Sequence, residues 1–187
     1  MLCLSCWILI GSIRAEDKSA DAKTKKVTAG DLILEVPATW KQKDPQSQFR
    51  AAEFEIPAIE GDKESGELAV FYFQGGGGDL KSNMTRWVGQ FEEDGRKIKV
   101  YSGKSKQGEY TLVDLSGTYK KSVGPPALGK SKRLPGWRVI NVFLQTEKGP
   151  YFLKFDGPTK TVTAVADQYR TAFGGNAKEE KEEKLAE

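Results

Sequence analysis

The sequence of 187 residues contains no histidine, and its two cysteines, Cys3 and Cys6, both lie within the first ten residues. Histidine is the most frequent general base and metal ligand, so its absence excludes the usual catalytic triads and histidine-based metal centres. Two cysteines at one end cannot form a disulfide framework or a zinc cluster in the remaining chain. We therefore predict no catalytic residues, no metal site and no cofactor, and a protein that is not an enzyme.

The chain begins with an apolar run over residues 1–10 (MLCLSCWILI). This run is far shorter than the roughly 20 residues that span a bilayer, but it fits the apolar region of a secretory signal. The positively charged segment that normally precedes such a region is missing, which leaves the true start and the cleavage point open. We predict a signal peptide over residues 1–15, export to the periplasm or the extracellular space, and no transmembrane span. The alternative is a buried N-terminal helix.

The composition indicates one folded domain between two polar ends. Hydrophobic residues make up 38% of the chain and charged residues 29%, which is ordinary for a globular protein. Residues 16–29 are polar and unpatterned and predict a disordered linker, and residues 176–187, which end in KEEKEEKLAE, predict a charged disordered tail. We expect residues 30–175 to form a single domain and the protein to be a monomer.

Hydrophobic patterning predicts seven strands and two helices. Residues 67–74 (ELAVFYFQ) are nearly continuously apolar, as in a central strand, whereas residues 79–94 place their apolar side chains on one helical stripe. The other predicted strands are 31–37, 49–57, 97–106, 109–120, 137–146 and 151–155, and the second helix is 158–173. The order β-β-β-α-β-β-β-β-α predicts an α+β domain whose mostly antiparallel sheet is covered by two amphipathic helices.

Three segments of the chain share features with a known superfamily. The first strand runs into Val36-Pro37-Ala38-Thr39-Trp40, a Pro-x-x-Trp ending; residues 67–74 lead to a helix; and residues 149–158 (GPYFLKFDGP) lead to a closing helix. Over roughly residues 30–175 the sequence resembles the superfamily named for the photosystem II extrinsic protein PsbP. A Ran-binding nuclear import factor belongs to the same superfamily. The resemblance implies an α/β/α sandwich that serves as a non-catalytic binding or assembly module.

A run of four glycines lies between the predicted central strand and the first helix. Backbone amides there and the helix dipole are able to hold an anion, but the loop lacks the Gly-Lys-Ser/Thr ending of a phosphate loop. Asp79 follows the run and would repel an anion, so we favour a turn with positive φ angles and close backbone approach. If a small anion does bind, the site comprises Gly75, Gly76, Gly77, Gly78, Lys81, Ser82 and Arg86.

Charge is distributed unevenly along the chain. Residues 31–95 contain 6 Lys and Arg against 13 Asp and Glu, a net of −7, whereas residues 96–138 contain 11 against 2, a net of +9. The cations of the second stretch are Arg96, Lys97, Lys99, Lys104, Lys106, Lys120, Lys121, Lys130, Lys132, Arg133 and Arg138. One hypothesis is that they form a surface for an anionic partner: lipid headgroups, a cell-wall polymer or an acidic envelope protein. The alternative is that basic strands pair beside acidic ones and the charges cancel across the sheet.

The sequence thus predicts an exported, non-catalytic binding or scaffolding domain acting at the cell envelope. Export and the lack of a recognisable module argue against nucleic acid as a partner. The alternative function is a hydrolase that uses carboxylates or a Ser–Lys pair, with the context of Ser102, Ser105 and Lys106 offering little support. The acidic loop 60–67 lacks the spacing of a calcium loop, so we interpret it as a solvated loop.

Overall fold

The computed structural model of the protein describes residues 23–74, 76–124 and 129–184, and ten strands and three α-helices lie in these residues. The strands are β1 (Thr24–Ala29), β2 (Leu32–Pro37), β3 (Lys41–Lys43), β4 (Arg50–Ile56), β5 (Gly66–Tyr72), β6 (Lys97–Ser105), β7 (Gly108–Ser122), β8 (Ser131–Thr146), β9 (Gly149–Pro158) and β10 (Lys181–Glu183). The helices are α1 (Leu80–Gly89), α2 (Thr159–Ala164) and α3 (Ala166–Ala172).

Eight of these strands form one antiparallel sheet in the order β10-β6-β7-β8-β9-β5-β4-β3, while β1 and β2 form a separate hairpin. Strand β5 pairs with β4 and β9 along its two edges. Its nearly continuous apolar run is explained by cover on both faces, since Leu68 and Val70 belong to one apolar cluster and Phe71 packs against another. The predicted α+β class and the mostly antiparallel sheet are confirmed.

One face of the sheet is covered by the β1–β2 hairpin, α2 and α3. Alternate residues of β2, including Leu34, turn inward and pack with Tyr169 and Phe173 of the C-terminal helical region in one apolar cluster. Trp40, which ends the Pro-x-x-Trp segment, is only 1% exposed and contacts Phe155 in the same cluster. That segment therefore contributes to the core.

The opposite face is covered by α1 and the segment that follows it. Trp87 of α1 and Phe91 belong to a second apolar cluster, which also contains Trp137 of β8. With helices on both faces of the sheet, the architecture is the predicted α/β/α sandwich. In the described part of the chain, no helix is both long and apolar enough to cross a membrane.

Both predicted helices are shorter than their patterns indicated. The helix expected over residues 79–94 ends at Gly89, because Phe91 forms a β-bridge with Tyr119. The helix expected over residues 158–173 is divided into α2 and α3 at Val165, whose φ and ψ of −119° and 13° interrupt the helix.

The polar ends of the chain differ from the sequence-based expectation where the structure describes them. Residues 24–29 of the predicted linker pair with β2, and residues 181–183 of the predicted tail pair with β6. Both segments are held by backbone pairing, which needs no apolar pattern, and the second also by a buried ion pair of Glu180 with Arg170. The predicted signal peptide over residues 1–15 lies outside the described residues.

Strands β7 and β8 continue beyond the rest of the sheet. Pairing of β7 with β6 ends at Ser116, whereas pairing with β8 continues to Ser122 and Ser131 after an irregularity in register. Residues 131–136, which lie before the predicted strand 137–146, belong to β8. We call residues 118–124 and 129–136 the arm.

Candidate functional site

A row of three polar side chains crosses the face of the sheet that carries α2 and α3. Lys97 of β6 pairs with Ser116 of β7, and Ser116 pairs with Arg138 of β8. Residues that pair across a ladder share a face, as do alternate residues along a strand. Lys99 therefore lies on the same side as the row.

The arm continues this arrangement of cations. Beyond the irregularity in register, Tyr119 and Leu134 pack with Trp137 in the apolar cluster on the α1 side. Their neighbours Lys120 and Arg133, which pair with each other, therefore lie on the same side as Ser116. The Arg133 guanidinium forms an ion pair with the Glu92 carboxylate, with 2.7 Å between Nη2 and Oε2. We call the five cations on this side of the sheet the basic face: Lys97, Lys99, Lys120, Arg133 and Arg138.

A basin of about 500 Å³ lies beneath the basic face, between β6–β8 and the C-terminal helices. Arg138 is fixed at its wall: Nε and Nη2 donate to the Asp114 carboxylate at 2.9 and 2.5 Å, and Nη1 donates to Thr163 Oγ1 at 2.8 Å. Lys97 and Lys99 also line the basin, and both are exposed and form no ion pair with a described residue. The basin thus combines one cation held by three hydrogen bonds with two that form no ion pair with a described residue.

The remaining six of the eleven predicted cations are Arg96, Lys104, Lys106, Lys121, Lys130 and Lys132. Lys104 lies on the α1 side of β6, and Arg96 donates to the Val88 carbonyl of α1 at 3.3 Å. Lys106 lies at the β6–β7 turn and Lys130 at the end of the arm. The structure therefore places five of the eleven on one side of the sheet, and these six are not part of that set.

Lys121 and Lys132 lie on the inner side of the arm, where a chain of alternating charges crosses the sheet. Arg50 Nη1 contacts Glu53 at 2.6 Å and Glu67 at 3.1 Å. Lys121 Nζ in turn contacts Glu67 at 3.4 Å and Asp156 at 2.9 Å. The charge pattern of the sequence did not indicate this arrangement, because its members lie on separate strands.

At one end of this row of alternating charges lies Asp156, which is 3% exposed and is surrounded by polar contacts. Lys154 Nζ lies 3.6 Å from the Asp156 carboxylate and donates to Tyr119 Oη at 2.6 Å, and Trp137 Nε1 donates to Asp156 Oδ1 at 3.2 Å. We call Glu53, Arg50, Glu67, Lys121, Asp156 and Lys154 the ionic chain.

Burial and charge act in opposite directions within the ionic chain. Burial alone would raise the pKa of Asp156, but Lys154, Lys121 and the Trp137 hydrogen bond outweigh it and lower this pKa below its usual range. Burial would likewise lower the pKa of Lys121, but the carboxylates of Asp156 and Glu67 raise it. Both members of the buried pair are therefore held in their charged forms.

A cleft of about 290 Å³ lies between the arm and strands β4 and β5. Lys132 of the arm faces Glu64 across it with 4.0 Å between Nζ and Oε1, and Lys43 contacts Glu55 on the opposite wall at 2.5 Å. Cations and carboxylates are thus paired around the cleft, so it carries no strong charge of one sign.

Part of the basic stretch does pair with the acidic stretch. Lys121, Lys132 and Arg133 each form an ion pair with an acid from residues 31–95. The two interpretations of the charge pattern therefore apply to different residues: some charges are compensated across the sheet, while Lys97, Lys99 and Lys120 form no ion pair with described residues.

The glycine loop before α1 has the geometry of the favoured turn. Gly76 and Gly78 have positive φ angles, and a Cβ at Gly77 would lie 2.5 Å from Phe152. Asp79 accepts a hydrogen bond from the Ser82 amide at 2.9 Å, which satisfies one of the free amides of α1.

The side chains near this loop are engaged locally. Arg86 Nη2 donates to Asn83 Oδ1 at 2.5 Å, and Lys81 has an interaction of its own, whereas Gly75 lies outside the described residues. Asn83 Nδ2 donates to the Gly77 carbonyl at 2.9 Å and so fixes the loop to α1.

The serines of the Ser–Lys alternative are engaged in structural contacts. Ser102 Oγ donates to Glu183 of β10 at 2.6 Å. Ser105 Oγ donates to the Gly108 carbonyl and accepts from the Gln107 amide, both at 3.1 Å, within the β6–β7 turn. In the acidic loop, Asp62 accepts from the amide and hydroxyl of Thr161 at 2.9 and 2.6 Å, which anchors the loop to α2.

A comparison with solved structures finds the solution structure of cyanobacterial PsbP (CyanoP) from Synechocystis sp. PCC 6803. The sequence identity is 12%, the TM-score is 0.44, and the match covers 91% of this chain and 99% of that one. At this TM-score the similarity supports no further conclusion about this protein. No protein-family model matches the sequence, and no curated protein matches it.

Proposed function

We propose that the protein is a non-catalytic binding domain exported to the cell envelope, where its basic face holds an anionic partner. The observation that supports this function is the arrangement of Lys97, Lys99, Lys120, Arg133 and Arg138 on one side of the sheet. Arg133 and Arg138 are paired with Glu92 and Asp114, so the excess positive charge of the basic face comes from its three lysines. Such an excess steers and holds a partner of opposite charge.

Availability of the charge also favours a binding role. Lys97, Lys99 and Lys120 form no ion pair with described residues, so their positive charges can attract an external anion. Because these side chains are exposed or half-buried, salt screens their interaction with a partner strongly.

The chemistry of the carboxylates argues against the hydrolase alternative. Glu53 and Asp156 are both 3% exposed and are linked through Glu67, but Arg50 and Lys121 contact all three. A general acid at neutral pH needs a raised pKa, whereas that of Asp156 is lowered. We therefore assign these carboxylates a structural role as ion-pair partners and not a role in proton transfer.

Co-sedimentation with vesicles tests the proposal. The chain without residues 1–15 is mixed with neutral phosphatidylcholine vesicles, with vesicles that also contain phosphatidylglycerol, and with soluble polyglutamate as a model acidic partner, at low and high salt. We expect binding to at least one anionic probe at low salt and its loss at high salt. Salt-insensitive binding to neutral and anionic vesicles alike, or binding to neither anionic probe, would contradict the proposal.

A charge-matched pair of variants assigns the binding to the basic face. Lys97→Gln/Lys99→Gln/Lys120→Gln removes three charges from it, and Lys41→Gln/Lys63→Gln/Lys148→Gln removes three exposed charges elsewhere. Only the first variant should lose binding, and equal losses in both would contradict the assignment.

A further inference from the structure

The middle of the row Lys97–Ser116–Arg138 presents a hydroxyl group between two cations. Ser116 lies on the central strand of the three, and its Oγ forms no hydrogen bond with a described residue. The neighbouring hydroxyls are already engaged, since Thr159 donates to the Gly136 carbonyl at 2.8 Å and Thr163 donates to the Thr159 carbonyl at 2.6 Å. Ser116 therefore retains a donor that faces the basin.

Arg138 also retains donors at this point. A guanidinium group carries five N–H bonds, and Arg138 uses one each from Nε, Nη1 and Nη2 for Asp114 and Thr163. One N–H on Nη1 and one on Nη2 are left, in an orientation that the Asp114 contacts fix. Guanidinium N–H groups are strong donors to the oxygens of planar and tetrahedral anions.

Four cations and three carboxylates line the basin, and this excess of one positive charge favours an anionic ligand. Lys97, Lys99 and Arg138 are opposed at the row by the single carboxylate of Asp114. Asp167 and the Arg170–Glu180 ion pair lie at the other wall of the basin. A phosphomonoester carries close to two negative charges at neutral pH and has three acceptor oxygens on the phosphate.

We propose that Lys97, Ser116 and Arg138 form a binding seat for a phosphate ester, with Lys99 as an additional charge. The proposal rests on the proposed function, because the seat lies within the basic face. It adds a defined position and a ligand class to a surface that would otherwise attract anions by charge alone.

The test is an NMR titration of the ¹⁵N-labelled chain with inorganic phosphate and with glycerol phosphate at constant ionic strength. We expect saturable shifts of the amides around residues 97–99, 116 and 138. Ser116→Ala should weaken binding about tenfold, because one hydrogen bond to a charged ligand is lost without a change in protein charge. The control is Ser122→Ala, which removes an exposed hydroxyl from the same side of β7 and should bind as the unchanged protein does.

Vesicles distinguish two sources of the phosphate group. If the natural ligand is a lipid headgroup, vesicles that contain phosphatidic acid should bind at least tenfold more tightly than glycerol phosphate, and Ser116→Ala should weaken both. Comparable affinities would identify a soluble phosphate ester. Absence of saturable shifts, or equal behaviour of the Ser116→Ala and Ser122→Ala variants, would overturn the proposal.

Failure of this inference is distinguishable from failure of the proposed function. If Ser116→Ala has no effect while the triple lysine variant still loses anionic binding, the basic face binds by charge without a defined seat. If neither change matters, both proposals are wrong.

Discussion

Lys121 on the inner side of the arm places its ammonium group 2.9 Å from the buried carboxylate of Asp156 on β9. The two residues lie 35 positions apart, and no local pattern connects them. Their contact joins the arm to the centre of the sheet, on the side opposite to Lys120 and Arg133.

Asp156→Asn should lower the free energy of unfolding by about 3 kcal/mol, because it leaves Lys121 and Lys154 without their shared buried counter-charge. Urea denaturation at neutral pH measures the change. The control is Asp44→Asn, an exposed carboxylate without an ion pair to a described residue, which should change stability by less than about 0.5 kcal/mol. Similar losses in the two variants would contradict the role of the ionic chain.

The lowered pKa of Asp156 predicts a specific dependence on pH. A carboxyl whose pKa is lower in the folded state stabilises the fold above its ordinary range, near pH 4, and that contribution is lost as the pH falls from there towards the lowered value. The stability difference between the unchanged protein and Asp156→Asn should therefore shrink as the pH is lowered from 5 to 3. A difference that stays constant over this range would rule out this assignment.

The C-terminal segment is held by a buried ion pair that also acts on a tyrosine. Arg170 Nε contacts Glu180 Oε1 at 2.9 Å, and the Tyr110 hydroxyl donates to the same oxygen at 3.0 Å. Burial, followed by the charge and hydrogen bond of Glu180, raises the pKa of Tyr110 to about 12.

Glu180→Gln should lower the pKa of Tyr110 towards 10, while burial keeps part of the shift. Spectrophotometric titration of the phenolate, with Tyr110→Phe identifying the Tyr110 contribution, measures this change. Because the phenolate is disfavoured in the folded state, Tyr110 stabilises the fold below pH 10, and this contribution is lost as the pH rises through 12. An unchanged titration in Glu180→Gln would show that Glu180 does not contact Tyr110 in solution.

Two glycines near α1 should respond oppositely to alanine. A Cβ at Gly77 would lie 2.5 Å from Phe152 and 2.7 Å from Phe73, so Gly77→Ala should destabilise the fold by about 1–3 kcal/mol. A Cβ at Gly89, the last residue of α1, would meet nothing within 4 Å, so Gly89→Ala should be neutral or stabilising by up to about 1 kcal/mol. Thermal unfolding of both variants measures the contrast, and equal shifts would contradict the close packing at Gly77.

The elements with strong local signals could be predicted from the sequence. The apolar run of β5, the position of Asp79 before α1 and the alternation in β2 each depend on neighbours within a few residues. The break at Val165 and the pairing of β10 depend instead on distant contacts, since β10 has no apolar residue and is positioned by β6. The periodicity of hydrophobic residues along the sequence therefore does not predict these elements.

The same distinction applies to the candidate site. The sequence identified the basic stretch but not the side of the sheet on which each cation lies, because this depends on strand alternation and register. Lys120 and Lys121 are neighbours in sequence and lie on opposite sides, one on the basic face and the other in the ionic chain. Arg50 and Glu67 belong to that chain although they are 17 positions apart.

The most direct test of the binding function is the salt dependence of affinity for phosphatidylglycerol-containing vesicles, measured from 20 to 500 mM salt. The basic face predicts that affinity falls steeply with salt and that Lys97→Gln/Lys99→Gln/Lys120→Gln reduces both the low-salt affinity and the steepness of that fall. The matched variant Lys41→Gln/Lys63→Gln/Lys148→Gln should keep the slope of the unchanged protein. An identical slope for all three proteins would contradict the assignment of binding to the basic face.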